Sequence, residues 1–227
     1  MSRTILITGA GRGIGRALAE HYLDKGETVL ATARDTGDLA DLVERGAEAF
    51  ELEVTDQTRI DRLAADLGDR PIDVLINNAG VIGGKGPQTL SNLNQDDWAE
   101  TMRINVFAPF RITEALVGNI TASAGKTVAI ISSRMGSIDQ NASSEKIVYR
   151  TSKAAVNQVA KALHNGLHSQ GVKVVPLHPG WVATDMGGPS AAVTPRDSAR
   201  GLAGVIDNLR QDQSGRFWDY QGQELPW

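Results

Sequence analysis

The 227-residue chain is long enough for one or two domains, and its 41% hydrophobic and 22% charged content exclude a disordered or fibrous protein. Twenty-three basic and 27 acidic residues leave a net charge of −4 with no basic tract, which argues against a nucleic-acid binder or a polybasic membrane anchor. Cysteine is absent, so disulfides, a thiolate nucleophile and Cys-ligated metals are excluded.

No apolar run approaches the ~18 residues of a membrane span. The opening MSRTILITGAG runs straight into a strand pattern without a signal core, so the expected address is cytoplasmic. Of the four histidines, His164 and His168 stand at i, i+4. No carboxylate motif accompanies them, so the spacing reads as a solvated helix face and no metal site is expected.

Short β-branched runs alternate with amphipathic stretches. The predicted strands are Thr4–Thr8, Thr28–Ala33, Ala49–Val54, Val74–Asn77, Thr127–Ser132 and Lys173–His178. They are near-continuously apolar, as strands covered on both faces are. The predicted helices are Ile14–Lys25, a weak Thr36–Arg45, Asp56–Leu67, Asp96–Ile120, Val148–Gln170 and a last one near Pro195–Leu209. Thr55-Asp56 supplies N-cap chemistry, Gly171 a left-handed stop and Pro195 a helix start. The alternation implies right-handed crossovers and a single α/β domain over residues 1–227: a doubly wound, Rossmann-type parallel sheet of six or seven strands, helices on both faces. In such sheets ligands bind beyond the carboxyl ends of the strands.

The first strand ends in Gly9-Ala10-Gly11-Arg12-Gly13-Ile14-Gly15, four glycines in seven residues between strand and helix. They permit a sharp turn, let backbone approach a pyrophosphate, and let the helix pack on the sheet. The helix N-terminus then faces the phosphate charge. The dinucleotide fingerprint G-x-G-x-x-G would need glycine where Ile14 stands, and a P-loop would need Lys-Ser/Thr. The pattern is instead T-G-x-x-x-G-x-G, on Thr8, Gly9, Gly13 and Gly15.

Tyr149 and Lys153, at i, i+4, share one helix face. With ~5 Å between them and an effective dielectric near 20, Coulomb's law gives about 3 kcal/mol, which would lower the phenol pKa by roughly two. Such pairs also arise by chance. Ser132-Ser133 ends a buried-strand pattern, so a hydroxyl emerges at the edge where ligands sit. Ser133 is a candidate oxyanion donor, and Ser132 reads as a strand cap. Asn105 lies inside an apolar helical stretch, where an amide distorts the helix, holds water or is a satisfied buried group.

Together these residues resemble the short-chain dehydrogenase/reductase family across essentially the whole chain. Asn105, Ser133, Tyr149 and Lys153 match its Asn–Ser–Tyr–Lys tetrad in order, while Asn77-Asn78-Ala79-Gly80 and Pro179-Gly180-Trp181-Val182-Ala183-Thr184 match further motifs. Glu53-Val54 stands where the family usually has Asp-Val beside adenine. The segments Ile131–Ile138, Tyr149–Ala155 and Leu177–Gly188 and the ending GRFWDYQGQELPW are similar to the C-factor and sniffer-like carbonyl-reductase branch.

The resemblance implies a small carbonyl or alcohol substrate, hydride transfer with a nicotinamide cofactor, and Tyr149 as the proton donor. Ser133 would polarise the carbonyl, Lys153 would lower the Tyr149 pKa and hold the ribose, and Asn105 would position a relay water. The cofactor would lie on Gly9, Arg12, Gly13, Ile14, Gly15, Arg34, Glu53, Val54, Asn78, Ala79, Gly80, Tyr149, Lys153, Pro179, Gly180, Val182 and Thr184. The acidic position that selects NAD(H) matches Ala33, with Arg34 beside it and Arg12 in the glycine turn. That pattern favours NADP(H), against the counter-signal of Asp35.

Gly187–Thr194 occupies the place of the family's substrate-covering loop, or is an ordinary surface connection. Trp181 lines the nicotinamide pocket or belongs to the core. A homodimer or homotetramer through the long helices is implied. An alternative is a cofactor-binding regulator with little turnover, although such a protein need not retain an acid–base pair.

Overall fold

The computed structural model describes residues 2–84, 86 and 88–227. Seven strands, β1 (Thr4–Ile7), β2 (Thr28–Ala33), β3 (Glu48–Glu51), β4 (Val74–Asn77), β5 (Thr127–Ile131), β6 (Lys173–His178) and β7 (Trp218–Asp219), form one sheet in the order β3-β2-β1-β4-β5-β6-β7. Every neighbouring pair is parallel. The order reverses between β1 and β4, the switch point at which such sheets open a crevice. Register carries the ends of four strands to one edge: Ile7 pairs with Ile76, Asn77 with Ile130, and Ile131 with Leu177.

The unbroken apolar strands have a physical cause in two cores. Ile5, Ile7, Val29, Ala31, Val74 and Ile76 face α1 (Gly13–Asp24) and α8 (Pro195–Asp207). Leu6, Leu30, Leu75, Val128, Ile130 and Val174 face α3 (Gln57–Leu67), α5 (Ala108–Ala115) and α7 (Ile147–Leu167) on the other side. Alternate residues serve opposite layers, so every position along these strands must be apolar. Strand β3, at the sheet edge, is only half-buried at Ala49 and Phe50.

Several boundaries differ from the sequence reading. The third strand stops at Glu51, leaving Glu53 and Val54 beyond it. Its neighbour Leu52 still donates to Ala33 O at 2.8 Å. The weak Thr36–Arg45 helix is a 3₁₀ turn at Thr36–Leu39 followed by α2 (Ala40–Glu44). The long Asp96–Ile120 helix is three α segments: α4 (Gln95–Met102), α5, and α6 (Val117–Ala122), with a π-helical turn at Arg103–Phe107. Asn105 sits in that turn, and its side chain bonds outside its own helix, which is the distortion a buried amide brings. Gly171 is left-handed at φ 80°, just past the α7 extension, as expected. His164 is half-buried, its Nδ1 2.8 Å from the Ser214 hydroxyl, rather than on a fully solvated face.

Candidate active site

The glycine turn leads from β1 into α1 with Gly9 at φ 67° and Gly13 at φ 57°, a left-handed region that side-chain-bearing residues resist. At Gly15 any Cβ would overlap Gly9 O and Asn78 Nδ2. That amide is the staple of the turn, donating to Thr8 O at 2.9 Å and Gly9 O at 3.1 Å. Thr8 Oγ1 in turn accepts from Asn78 N at 3.0 Å and Ala79 N at 3.1 Å. The loop after β4 therefore closes the crevice floor against the turn after β1.

Helix α1 begins without a side-chain cap and with no acid in its first turn. Its leading N–H groups and dipole remain available to an anion, and the Gly13 backbone is open except for Thr184, whose methyl would lie 3.3 Å from an added Cβ. These features fit a dinucleotide pyrophosphate.

Around the far end of the turn the charges are distributed differently from the sequence reading. Arg12 does not lie free beside Arg34. It pairs with Asp185 at 2.9 Å, and both side chains are largely exposed. Asp35 is engaged locally, accepting from Gly37 N at 2.8 Å to cap the 3₁₀ turn. Asp38, which sequence reasoning missed, lies against the glycine turn, 2.9 Å from where a Gly11 Cβ would stand. Glu53 accepts from Thr55 N at 3.2 Å and Thr55 Oγ1 at 3.1 Å, so its carboxylate shapes a local turn.

The structure brings the four tetrad residues to the same edge. Lys153 is buried and donates from Nζ to Ile131 O at 2.9 Å, with Nζ 5.6 Å from the centre of the Tyr149 ring. Ser133 lies two residues past the end of β5, and its Oγ accepts from Met135 N at 3.2 Å. Asn105 Oδ1 accepts from Val81 N at 2.9 Å, and Nδ2 donates to Val81 O at 2.8 Å and Ser152 Oγ at 3.0 Å. An added Gly80 Cβ would stand 3.2 Å from Asn105 Oδ1 and 3.6 Å from Lys153 Nζ, so the backbone there lies against both.

Electrostatics correct one expectation. Burial pushes the Tyr149 phenol up to about 12, with the Ser133 hydroxyl pulling weakly the other way. Burial pushes the Lys153 ammonium down to about 8. Desolvation governs both shifts, where the i, i+4 spacing predicts that Lys153 lowers the phenol.

Gln88 is a further contributor with no motif to mark it. Its backbone carbonyl accepts from Ile147 N and its Oε1 from Tyr149 N, each at 3.3 Å, capping α7 from a distant loop. Ser132 donates to Asn157 Oδ1 at 2.6 Å and ties β5 to α7. Trp181 is 57% exposed and donates from Nε1 to Gly187 O, which rules out the core reading. The segment Gly187–Thr194 is pinned at its end, where Ala183 N donates to Val193 O and Val193 N to Trp181 O.

A family model described as short chain dehydrogenase matches residues 3–193. The chain belongs to the short-chain dehydrogenase/reductase family. Members of the C-factor and sniffer-like branch are among its relatives and structural neighbours. It is 46% identical to "C-signal" of Myxococcus xanthus over 157 residues, 69% of this chain and 93% of that protein. It is 36% identical to 1-hydroxy-2-glutathionyl-2-methyl-3-butene dehydrogenase of Rhodococcus sp. (strain AD45) over 231 residues, 99% of each. Carbonyl reductase Sniffer of D. melanogaster superposes with a TM-score of 0.93 at 31% identity over all of both chains. An NADPH-bound carbonyl reductase from chicken fatty liver does so with 0.93 at 32%, covering 100% of this chain and 99% of that one. The fold and family define an oxidoreductase. No helix among the described residues is long and apolar enough to cross a membrane.

Proposed function

We propose that this oxidoreductase reduces the carbonyl of an aldehyde, ketone or quinone to an alcohol, using NADP(H) and Tyr149 as proton donor. The observation that carries the reading is the grouping of Lys153 against Gly80, Tyr149 beside Lys153 and Ser133 within reach of the Tyr149 hydroxyl, at the edge where the uncapped glycine turn opens. When bound, NADPH supplies the hydride that adds to the carbonyl carbon. The glycine turn, Asn78–Gly80 and Thr184 would hold it.

Ser133 Oγ accepts from Met135 N, and its own proton, which reaches toward the Tyr149 oxygen in this structure, would turn to the carbonyl oxygen when substrate is bound. Tyr149, with its pKa raised, keeps its proton through neutral pH until the developing alkoxide takes it. Lys153 spends one N–H on Ile131 O and has two left for the ribose and for the charge that appears on Tyr149. Asn105 Oδ1 has one lone pair beyond its Val81 bond, and we assign it the water that reconnects Lys153 to solvent.

Arg34 is exposed at the end of β2, and with Asp35 turned onto Gly37 it faces no carboxylate bond among the described residues. That arrangement supports a 2′-phosphate and hence NADP(H) over NAD(H). Arg12 would join it by leaving Asp185. Exposed Phe107 and Phe110 support a homo-oligomer formed through this helical face.

The test is NADPH oxidation with a panel of benzaldehydes, aryl ketones and ortho-quinones. Tyr149→Phe should retain NADPH affinity within about threefold and lose about 10²- to 10⁴-fold in kcat. Comparable turnover in that variant would refute the assignment. Tight NADPH binding with silence across the panel would favour the regulator instead.

A further inference from the structure

The loop after β5 carries Ser133, and its backbone is held at three points. Met135 N donates to Ser133 Oγ at 3.2 Å, and Gly136 N to Ser133 O at 2.8 Å. Gly136 lies directly on α7: an added Cβ would stand 2.6 Å from Lys153 C and 2.8 Å from its carbonyl oxygen. The third point lies 90 residues away in sequence. Buried Ser137 donates from Oγ to Trp227 O at 3.2 Å, and Asp139 N donates to the same oxygen at 3.0 Å.

What holds that oxygen is a separate piece of structure. After β7 the chain turns back, Trp218 bridges to Glu224, and Leu225 N donates to Phe217 O at 2.7 Å. The Trp227 indole then stacks on fully buried Phe217, with centroids 5.9 Å apart and planes 19° from parallel. The helix bearing Tyr149 and Lys153 touches this loop at Gly136 but has anchors of its own, in Gln88 and in Ile131 O. Releasing Trp227 should therefore move Ser133 and leave the Tyr–Lys pair in place.

We propose that Trp227 is a positioning residue for Ser133: its indole, stacked on Phe217, holds the main-chain oxygen that Ser137 and Asp139 clasp, and so sets the angle of the Ser133 hydroxyl. The inference rests on the carbonyl-reductase reading only for its effect on rate, because the anchoring itself has a readout without turnover.

The first measurement is kinetic, with NADPH and the fastest carbonyl of the panel. Trp227→Ala should lower kcat about five- to tenfold with the NADPH dissociation constant within about twofold, and Trp227→Phe should recover most of the loss. In a Ser133→Ala background, Trp227→Ala should cost no more than about twofold, since the group it positions is gone. Full multiplication of the two losses would overturn the proposal. Ser137→Ala removes only one clasping donor and should lower kcat about two- to threefold, which keeps the test available should Trp227→Ala fold poorly.

The second measurement is amide hydrogen exchange. The Met135 and Asp139 amides should exchange about tenfold faster in Trp227→Ala, with the Tyr149 amide unchanged. Unchanged protection at Met135 would overturn the anchor. Faster exchange with no kinetic cost from Ser133→Ala would leave the anchor standing and remove the reductase role of Ser133.

Discussion

At the amino edge of the sheet, Asp207 gathers three partners: Lys25 at 2.5 Å, Arg3 at 3.0 Å and the Tyr22 hydroxyl at 3.3 Å. Arg3 also forks onto Glu27, and Asp73 accepts from Thr4 N and Gly125 N. At the carboxyl edge, buried Lys153 has a backbone carbonyl and no carboxylate among the described residues, and Tyr149 and Ser133 have polar neighbours of small charge. The amino edge neutralises what it buries. The carboxyl edge holds an ammonium at a depressed pKa and a phenol at a raised one, a departure from the stability optimum that marks sites built for proton transfer.

The sharpest way to break this contrast is to delete charge at each edge in turn. Lys153→Met should lower kcat at least about a hundredfold. Its melting temperature should hold or rise, because methionine fills the volume without a desolvated charge. A stability loss alongside the kinetic one, seen by calorimetry, would show that Lys153 also serves the fold.

Asp207→Ala should do the reverse. It leaves Arg3 with Glu27 alone and takes the carboxylate from the half-exposed Lys25 and from the Tyr22 hydroxyl, so it should cost about 1 kcal/mol in urea unfolding, with kcat within about twofold. A different effect is expected from Arg34→Ala, which should weaken NADPH about tenfold and NADH little, read by fluorescence titration. Equal weakening of both cofactors would remove Arg34 from the 2′-phosphate site.

The gentlest probe is pH. Lys153 has a folded pKa of about 8 against an ordinary 10.5, so between those values the unfolded chain binds more protons and stability should rise with pH. Lys153→Met should flatten that limb in thermal melts. On the acid side, burial holds His178 at about 4 against 6.5, so its neutral form stabilises the fold until the pH falls through that window. Asp207 follows at lower pH: burial opposes its ionisation, but bonds from Lys25 and Arg3 prevail, so its contribution fades as the pH drops below its ordinary 3.8.

The tetrad positions and the glycine turn could be read from the chain because each depends on short spacing: four residues along a helix, or a strand ending in a hydroxyl. The partners of those residues were harder. Arg12 and Arg34 read as a pair, yet Arg12 finds Asp185, 173 residues on, because the loop after β6 passes over the glycine turn. Gln88 carried no motif, and Trp227 stood in the ending GRFWDYQGQELPW with no role marked, since a cap donated from another loop and a main-chain acceptor leave no pattern in side-chain type.

From sequence alone follow the parallel sheet, the two-sided burial of its strands, the crevice edge and the residue types gathered there. Backbone geometry and hydrophobic periodicity act over a few residues, and they suffice for that much. Tertiary structure alone decided the direction in which Tyr149 and Lys153 shift, the π turn that aims Asn105 at Val81 and Ser152, and the clasp from Trp227 onto the Ser133 loop. Desolvation and partner choice depend on which remote segments crowd a group, and only the packed chain specifies that.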